Sequence, residues 1–382
     1  MSKEYFLALY GEEGINVLKT PPPYTTLRVN TLKIDMNEAI RILELLFPRY
    51  DIKVHEKIND LLCIPVNGPF NIQPVEKAIF VDNRCGEAIL RGSHIYAPGV
   101  LGTTSDFQKN EIVSIYSISV PINRGTKTTI ENVAEPFYLG NGVCQMSRRE
   151  IFSTNKGLAI IITEGIYQTP SFENLPKNLF FPQNEPSALV AHILDPKPGE
   201  SILDMCASPG GKTTHISTLM QNQGELIALD KSKKRVEELK SNVDIWESFA
   251  DVRKIDATKA KQRFGGKKFD KILLDAPCSG LGQRPKLSFQ EINVDSTALY
   301  QKKFLEIACE MLKPGGILVY STCTVTQEEN QQNIGWAIEN LELELINQEI
   351  MIGDASEPLG LTQVFSPISH SMGFFIAKLR RK

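Results

Sequence analysis

The rhythm of apolar and polar positions changes twice along the chain. After the proline cluster Pro21-Pro22-Pro23, Thr25 to Thr31 alternates as a strand does, and Met36 to Phe47 repeats its apolar residues at helical spacing. This predicts a small α+β unit within residues 1–76. From Lys77 to Gln168, β-branched and aromatic residues fall in short runs (Ala78 to Val81, Glu111 to Val120, Leu158 to Thr163) between glycine-rich turns, which predicts a compact β-rich module over 77–168. Beyond Thr169-Pro170, over 169–382, strands alternate with helices. Strands are predicted at Ser201 to Met205, Glu225 to Asp230, Lys271 to Asp275, Ile317 to Thr322 and Gly373 to Leu379. Helices are predicted near Lys212 to Gln221, Lys231 to Trp246, Thr297 to Leu312 and Glu328 to Asn340, the third stopped by Lys313-Pro314-Gly315-Gly316. The pattern implies an α/β, Rossmann-like, mostly parallel sheet with helices on both faces. No internal repeat or low-complexity tract interrupts it.

Composition narrows the partners. With 382 residues and 42% apolar content, the chain can bury two or three cores, and a net charge of −3 argues against a surface that binds polyanions all over. Nucleic acid would have to be held by a local basic face. Seven cysteines (Cys63, Cys85, Cys144, Cys206, Cys278, Cys309, Cys323), widely scattered and with no CxxC pair, suggest neither a disulfide framework nor a zinc site. The start lacks the regions of a signal peptide, and no apolar run approaches the roughly 18 residues of a membrane helix. The expectation is a soluble, cytoplasmic, monomeric protein without a metal.

The candidate chemistry lies in three loops that follow strands, where open α/β sheets bind ligands. Cys206-Ala-Ser-Pro-Gly-Gly-Lys-Thr213 leads from a strand into a helix through Gly210 and Gly211, so backbone amides can approach a ligand. A phosphate-binding loop would need glycine where Cys206 stands. Asp230 closes the next strand, at the place where such folds hold a ribose; an acid there also caps helices. Asp256 could meet an adenine amino group or occupy an exposed turn.

The other two loops carry Cys278, in Asp275-Ala-Pro-Cys-Ser-Gly280, and Cys323, in Ser321-Thr-Cys323. Cytosine carbon 5 is a poor nucleophile, and a thiolate added to carbon 6 turns the ring into an enamine able to attack a methyl sulfonium. One thiol for addition and a second group for release would complete that cycle. An isolated cysteine is ordinarily a small buried hydrophobe, the reading given to Cys63, Cys85, Cys144 and Cys309. Asp275 could hydrogen-bond the base if protonated, touch a cofactor, or cap a turn.

At these residues the chain resembles the Nop/Sun family of RNA cytosine-5 methyltransferases, whose signatures CAAPGGKT, DAPCSG and STC match in order, with Ser208 in place of the usual alanine. The resemblance implies Cys323 as nucleophile, Cys278 as the cysteine assisting product release, and Lys212 and Asp275 lining the target-base pocket. It also implies S-adenosylmethionine bound by Cys206, Ala207, Ser208, Pro209, Gly210, Gly211 and Lys212 with Asp230, Asp256 and Asp275. A Pro-Cys pair and a Glu-Asn-Val string, as in DNA cytosine methyltransferases, occur here in reversed order (Glu131-Asn-Val133 before Pro277-Cys278), and the (D/N)PP(Y/F) tetrapeptide of amino-group methyltransferases is absent.

Val81 to Gly99 resembles a PUA domain, an RNA-binding β-barrel, and an inserted PUA domain marks one branch of the family. Thr26 to Thr31, Gly140 to Val143 and Ser147 to Phe152 fit that branch, which implies an RRM-like amino-terminal segment and a tRNA substrate methylated near the 3′ end of its acceptor stem; hairpins in messenger RNA are also associated with it. Arg91, Tyr96, Arg124, Lys127, Arg148 and Arg149 are the candidate RNA contacts, against the ordinary reading of arginines as solubilising residues. The basic run Lys231 to Arg235 reads as a solvated helix face. The five histidines suggest no metal constellation.

Overall fold

In the strand Tyr24–Val29 both faces are covered. Leu27 and Val29 pack with Ala39 and Leu43 of the helix Met36–Leu46, whose first turn Asp35 caps, while Thr26 and Arg28 face the carboxyl-terminal unit. This is a computed structural model describing residues 3–289 and 291–382; Met1 and Ser2 of the amino-terminal stretch considered above lie outside the described residues. The amino-terminal sheet is completed from far along the chain: Phe180–Pro182 pairs antiparallel with Tyr24–Val29, opposite Arg28 at Phe181. Three residues are too few to show alternation, so nothing in the pattern announces this strand.

Arg28 ties that sheet to the next unit. It is fully buried, with Nε donating to Gln183 Oε1 (2.8 Å) and Nη2 to Thr214 Oγ1 (2.7 Å) and the Gly211 carbonyl (3.1 Å), and its guanidinium lies 4.1 Å from the Trp246 ring centroid. Burial lowers its pKa to about 9. Arg28→Leu should cost about 3 kcal/mol, because it strands several buried acceptors. Thermal unfolding with and without the substitution checks this.

Beside it, Asp60 accepts from His192 Nε2 (2.9 Å) and His215 Nε2 (2.8 Å), joining the amino-terminal unit to two helices, Glu185–Leu194 and Gly211–Leu219. The histidines suggested no metal constellation in sequence; the fold gathers these three ligand-type side chains within 4.8 Å of one another, with Asp60 bonded to both rings and His215 Nδ1 buried without a hydrogen-bond partner. The helix Glu185–Leu194 was not foreseen. It is apolar nearly all round and buried, so it shows no polar face. Neither was Lys3–Leu18, broken at Gly11, which buries Phe6, Ile15 and Leu18 against Leu281 and Val294.

Residues 77–168 form one seven-stranded mixed sheet around a helix, Asn83–Leu90. That helix docks on the chain just beyond Cys278: Asn83 Nδ2 donates to the Leu287 carbonyl (3.0 Å), and Leu287 N donates to Glu87 Oε1 (2.8 Å).

The carboxyl-terminal sheet runs Asp251–Lys254, Glu225–Asp230, Ser201–Asp204, Phe269–Asp275 and Leu312–Thr322, all parallel, and then Phe374–Arg381 antiparallel. The predicted strands and helices of this domain are all present with small shifts in their ends, and buried clusters cover both faces. Parallel order brings the carboxyl ends of these five strands, and the three candidate loops, to one edge.

Candidate active site

The loop after Ser201–Asp204 is held from several sides. Gly210, at φ 112°, opens the helix Gly211–Leu219, and a Cβ at Gly211 would lie 2.9 Å from Phe181 Cε1. Ser208 Oγ donates to the Arg235 carbonyl (2.8 Å), and Arg235 Nη2 donates back to the Ser208 carbonyl (3.0 Å), so the hydroxyl that departs from the family pattern is in use. Arg235 also meets Asp230 Oδ2 at 3.1 Å. The basic run is therefore partly structural, which helical periodicity alone did not show.

A cavity of about 300 Å³ opens beside this loop, bounded by Cys206, Ser208, Asp230, Asp256, Asp275, Cys278 and Cys323. Asp230 Oδ1 accepts from Ser232 N (2.9 Å) and Asp256 Oδ1 from Thr258 N (3.1 Å), so each acid both caps a turn and faces the cavity. The donor set fits S-adenosylmethionine: carboxylates for a ribose and an adenine, and a glycine turn where backbone approaches closely. Asp204, at the base of the loop, is buried and accepts from Thr213 Oγ1 (2.7 Å); burial pushes its pKa up to about 7.

A second cavity shares Cys206, Ser208 and Asp275 with the first and is lined by Lys212, Phe181 and Asn184. Lys212 Nζ donates to Asp275 Oδ2 (2.8 Å) and Ser321 Oγ to Oδ1 (2.7 Å). Both Asp275 oxygens are thus engaged by neighbouring side chains in this structure.

Cys278 and Cys323 stand with their sulfurs 3.4 Å apart. A hydrogen bond from Cys278 lowers the Cys323 pKa; burial and Asp275 oppose this, and Lys212 supports it. The same bond, together with burial, pushes Cys278 well up. Burial raises Cys63 to about 11, Cys85 and Cys144 to about 12, and also raises Cys206 and Cys309. Cys323 alone of the seven is shifted toward the thiolate, the form that acts as nucleophile.

Sequence reading missed the groups behind the sulfurs. Glu329, Gln301, Ser279 and Thr324 form a polar network there, and Gly282 N donates to the Cys323 carbonyl (3.0 Å). The hydroxyl residues directly after each cysteine were the available signal.

The candidate RNA residues do not converge. Arg124 donates to the carbonyls of Ala97, Ile151 and Thr154, Arg148 to Thr103 Oγ1 and the Gly125 carbonyl, Lys127 pairs with Asp106, and the Tyr96 hydroxyl donates to Glu173. Arg149 is exposed. Arg91 lines a third cavity, of about 310 Å³, with Tyr24, Gln283, Arg284 and Met372; Pro182, Gln183 and Asn184 are common to its wall and that of the Lys212 cavity.

A glycine-turn loop, two acids and a thiol pair at one edge of a doubly wound sheet are the arrangement expected of a methyltransferase. Known proteins agree. Residues 191–380 match the family described as 16S rRNA methyltransferase RsmB/F, and 77–166 match the PUA domain. The chain is 40% identical to human tRNA (cytosine(72)-C(5))-methyltransferase NSUN6, over 92% of this chain and 82% of that one, and 36% identical to tRNA (cytosine(72)-C(5))-methyltransferase of Pyrococcus horikoshii, over 99% and 96%. The crystal structure of NSun6 from P. horikoshii with SFG, an S-adenosylmethionine analogue, superposes with a TM-score of 0.87 at 34% identity, covering 99% of this chain and 97% of that one. The chain belongs to the S-adenosylmethionine-dependent RNA cytosine-C5 methyltransferases, in the PUA-containing branch that NSUN6 represents.

Proposed function

We propose that this enzyme forms 5-methylcytosine near the 3′ end of the tRNA acceptor stem, the position named for its relatives as cytosine 72, with Cys323 as nucleophile. The sulfur pair carries the reading: 3.4 Å separates a thiol biased toward the thiolate from one biased toward its protonated form. Asp230, Asp256, Asp275 and the loop Cys206 to Lys212 hold S-adenosylmethionine, which supplies an electrophilic methyl group. Cys323 Sγ adds to carbon 6 of the cytosine, bonding through its lone pair and moving ring electrons to carbon 5. Lys212, beside Asp275, favours the thiolate. After methylation the carbon-5 proton passes to solvent with the help of Cys278, which must lose its own proton before it can accept this one, and the electron pair of the broken C–H bond re-forms the ring double bond and expels Cys323 as thiolate. Asp230→Ala should weaken cofactor binding roughly ten- to a hundred-fold, as loss of hydrogen bonds to a charged group does, checked by calorimetric titration.

In this reading residues 77–168 hold the RNA, residues 169–382 carry the chemistry, and residues 1–76 brace the cofactor loop through Arg28. Arg91 reaches the RNA end through the third cavity, while Tyr96 and Arg149, on the surface, and Arg124, Lys127 and Arg148, through their charge, support the surrounding backbone. The chain is read as a monomer. No described helix is long and apolar enough to cross a membrane, and we place the enzyme in the cytoplasm. A target at a stem end costs least to unstack. Label from methyl-labelled S-adenosylmethionine should enter tRNA and appear as 5-methylcytidine on digestion; label entering ribosomal RNA and not tRNA would overturn the substrate.

A further inference from the structure

We propose that Glu329 is a positioning residue for the reaction, holding the Cys278 loop against the Cys323 loop so that the two sulfurs stay in contact. The inference rests on the roles given above to both cysteines.

Glu329 is fully buried, and four donors reach its carboxylate. Oε1 accepts from Ser279 N (2.9 Å) and Gln301 Nε2 (3.0 Å); Oε2 accepts from Ser279 Oγ (2.5 Å) and Thr326 Oγ1 (2.8 Å). Ser279 follows Cys278 and Thr324 follows Cys323, and their hydroxyls are 2.7 Å apart. Because a carboxylate only accepts, the Ser279 hydrogen points at Glu329, and Thr324 must donate to Ser279. The carboxylate thus fixes both the distance between the loops and the direction of the hydroxyl chain joining them.

Gln301 extends the hold to the other side of Cys278. Its Nε2 also donates to the Pro277 carbonyl (3.0 Å), and its Oε1 accepts from Tyr320 Oη (3.0 Å) and Asn333 Nδ2 (2.8 Å). Cys278 is therefore pinned at the residues before and after it by one network centred on Glu329. After the contact with Cys323 and burial, the Glu329 carboxylate adds to the upward shift of the Cys278 thiol.

Glu329→Gln keeps the shape but removes the charge and one acceptor. The test measures kcat and KM, cofactor affinity and melting temperature. It also follows the pH profile of iodoacetamide alkylation at Cys323 and Cys278 separately, by peptide mass spectrometry. We expect kcat to fall roughly ten- to a hundred-fold with KM and cofactor affinity little changed, while the Cys323 alkylation profile moves to higher pH and that of Cys278 to lower pH. Thr324→Val, which breaks the hydroxyl chain and leaves the carboxylate, should move Cys323 the same way by less. Unchanged profiles in either variant, or a fall in kcat matched by equal losses of melting temperature and cofactor binding, would overturn the proposal. If Glu329→Gln does not fold, the Thr324→Val profile decides. Should Cys323→Ala retain full activity, the assignment of the nucleophile fails first, whatever Glu329 does.

Discussion

Cys323→Ala removes methyl transfer altogether, a fall on the order of 10⁴-fold or more, as expected when a covalent nucleophile is lost, while Cys278→Ala accumulates protein linked to RNA. The asymmetry follows from the sulfur pair. On the proposed assignment, Cys323, the thiol shifted toward its thiolate, opens the addition, and Cys278, shifted the other way, acts after the methyl has arrived. Removing Cys278 takes away the hydrogen bond that favours the Cys323 thiolate, so the adduct forms more slowly than in the native enzyme, but its release is blocked and it persists. Denaturing gels of labelled RNA with each variant check this. An adduct in Cys323→Ala, or none in Cys278→Ala, would reverse the roles.

The second large effect is at Lys212. Lys212→Met keeps an apolar stem near Phe374, whose ring centroid lies 5.5 Å from Nζ, and deletes the cation. Asp275 then loses its 2.8 Å donor beside the thiol pair, and the Cys323 thiolate loses a nearby positive charge. We expect kcat to fall roughly 100- to 1000-fold, the range for one electrostatic group at a reacting centre, with cofactor affinity altered far less. Single-turnover rates at saturating S-adenosylmethionine measure it, and a fall of less than fivefold would remove Lys212 from the chemistry.

The candidate site was legible because it lies in short loops after strands, and alternating strand and helix announce themselves through period. Cys206 to Lys212, Asp230, Asp256, Asp275, Cys278 and Cys323 come to one edge as the parallel order requires. What escaped was non-local. The strand Phe180–Pro182 is defined by its partner 150 residues earlier, not by its own pattern. The helix Glu185–Leu194 has no polar face to give it period. Arg28 reads as a surface residue until the fold encloses it between Trp246 and Gly211. The arginines of the β-rich module differ in the opposite sense: Arg124 and Arg148 look free in sequence, and the fold bonds them to backbone carbonyls. Glu329 lies in a polar run after Cys323 and gains meaning only when Ser279, 50 residues away, folds against it.

The central claim, covalent activation of cytosine carbon 5 by Cys323, is tested most directly with RNA carrying tritium at carbon 5 of its cytidines. Methylation there must release that hydrogen, so the account predicts tritium in water equal to methyl groups transferred, and neither event in Cys323→Ala. Methyl transfer without tritium release would place the methyl on another atom and contradict it.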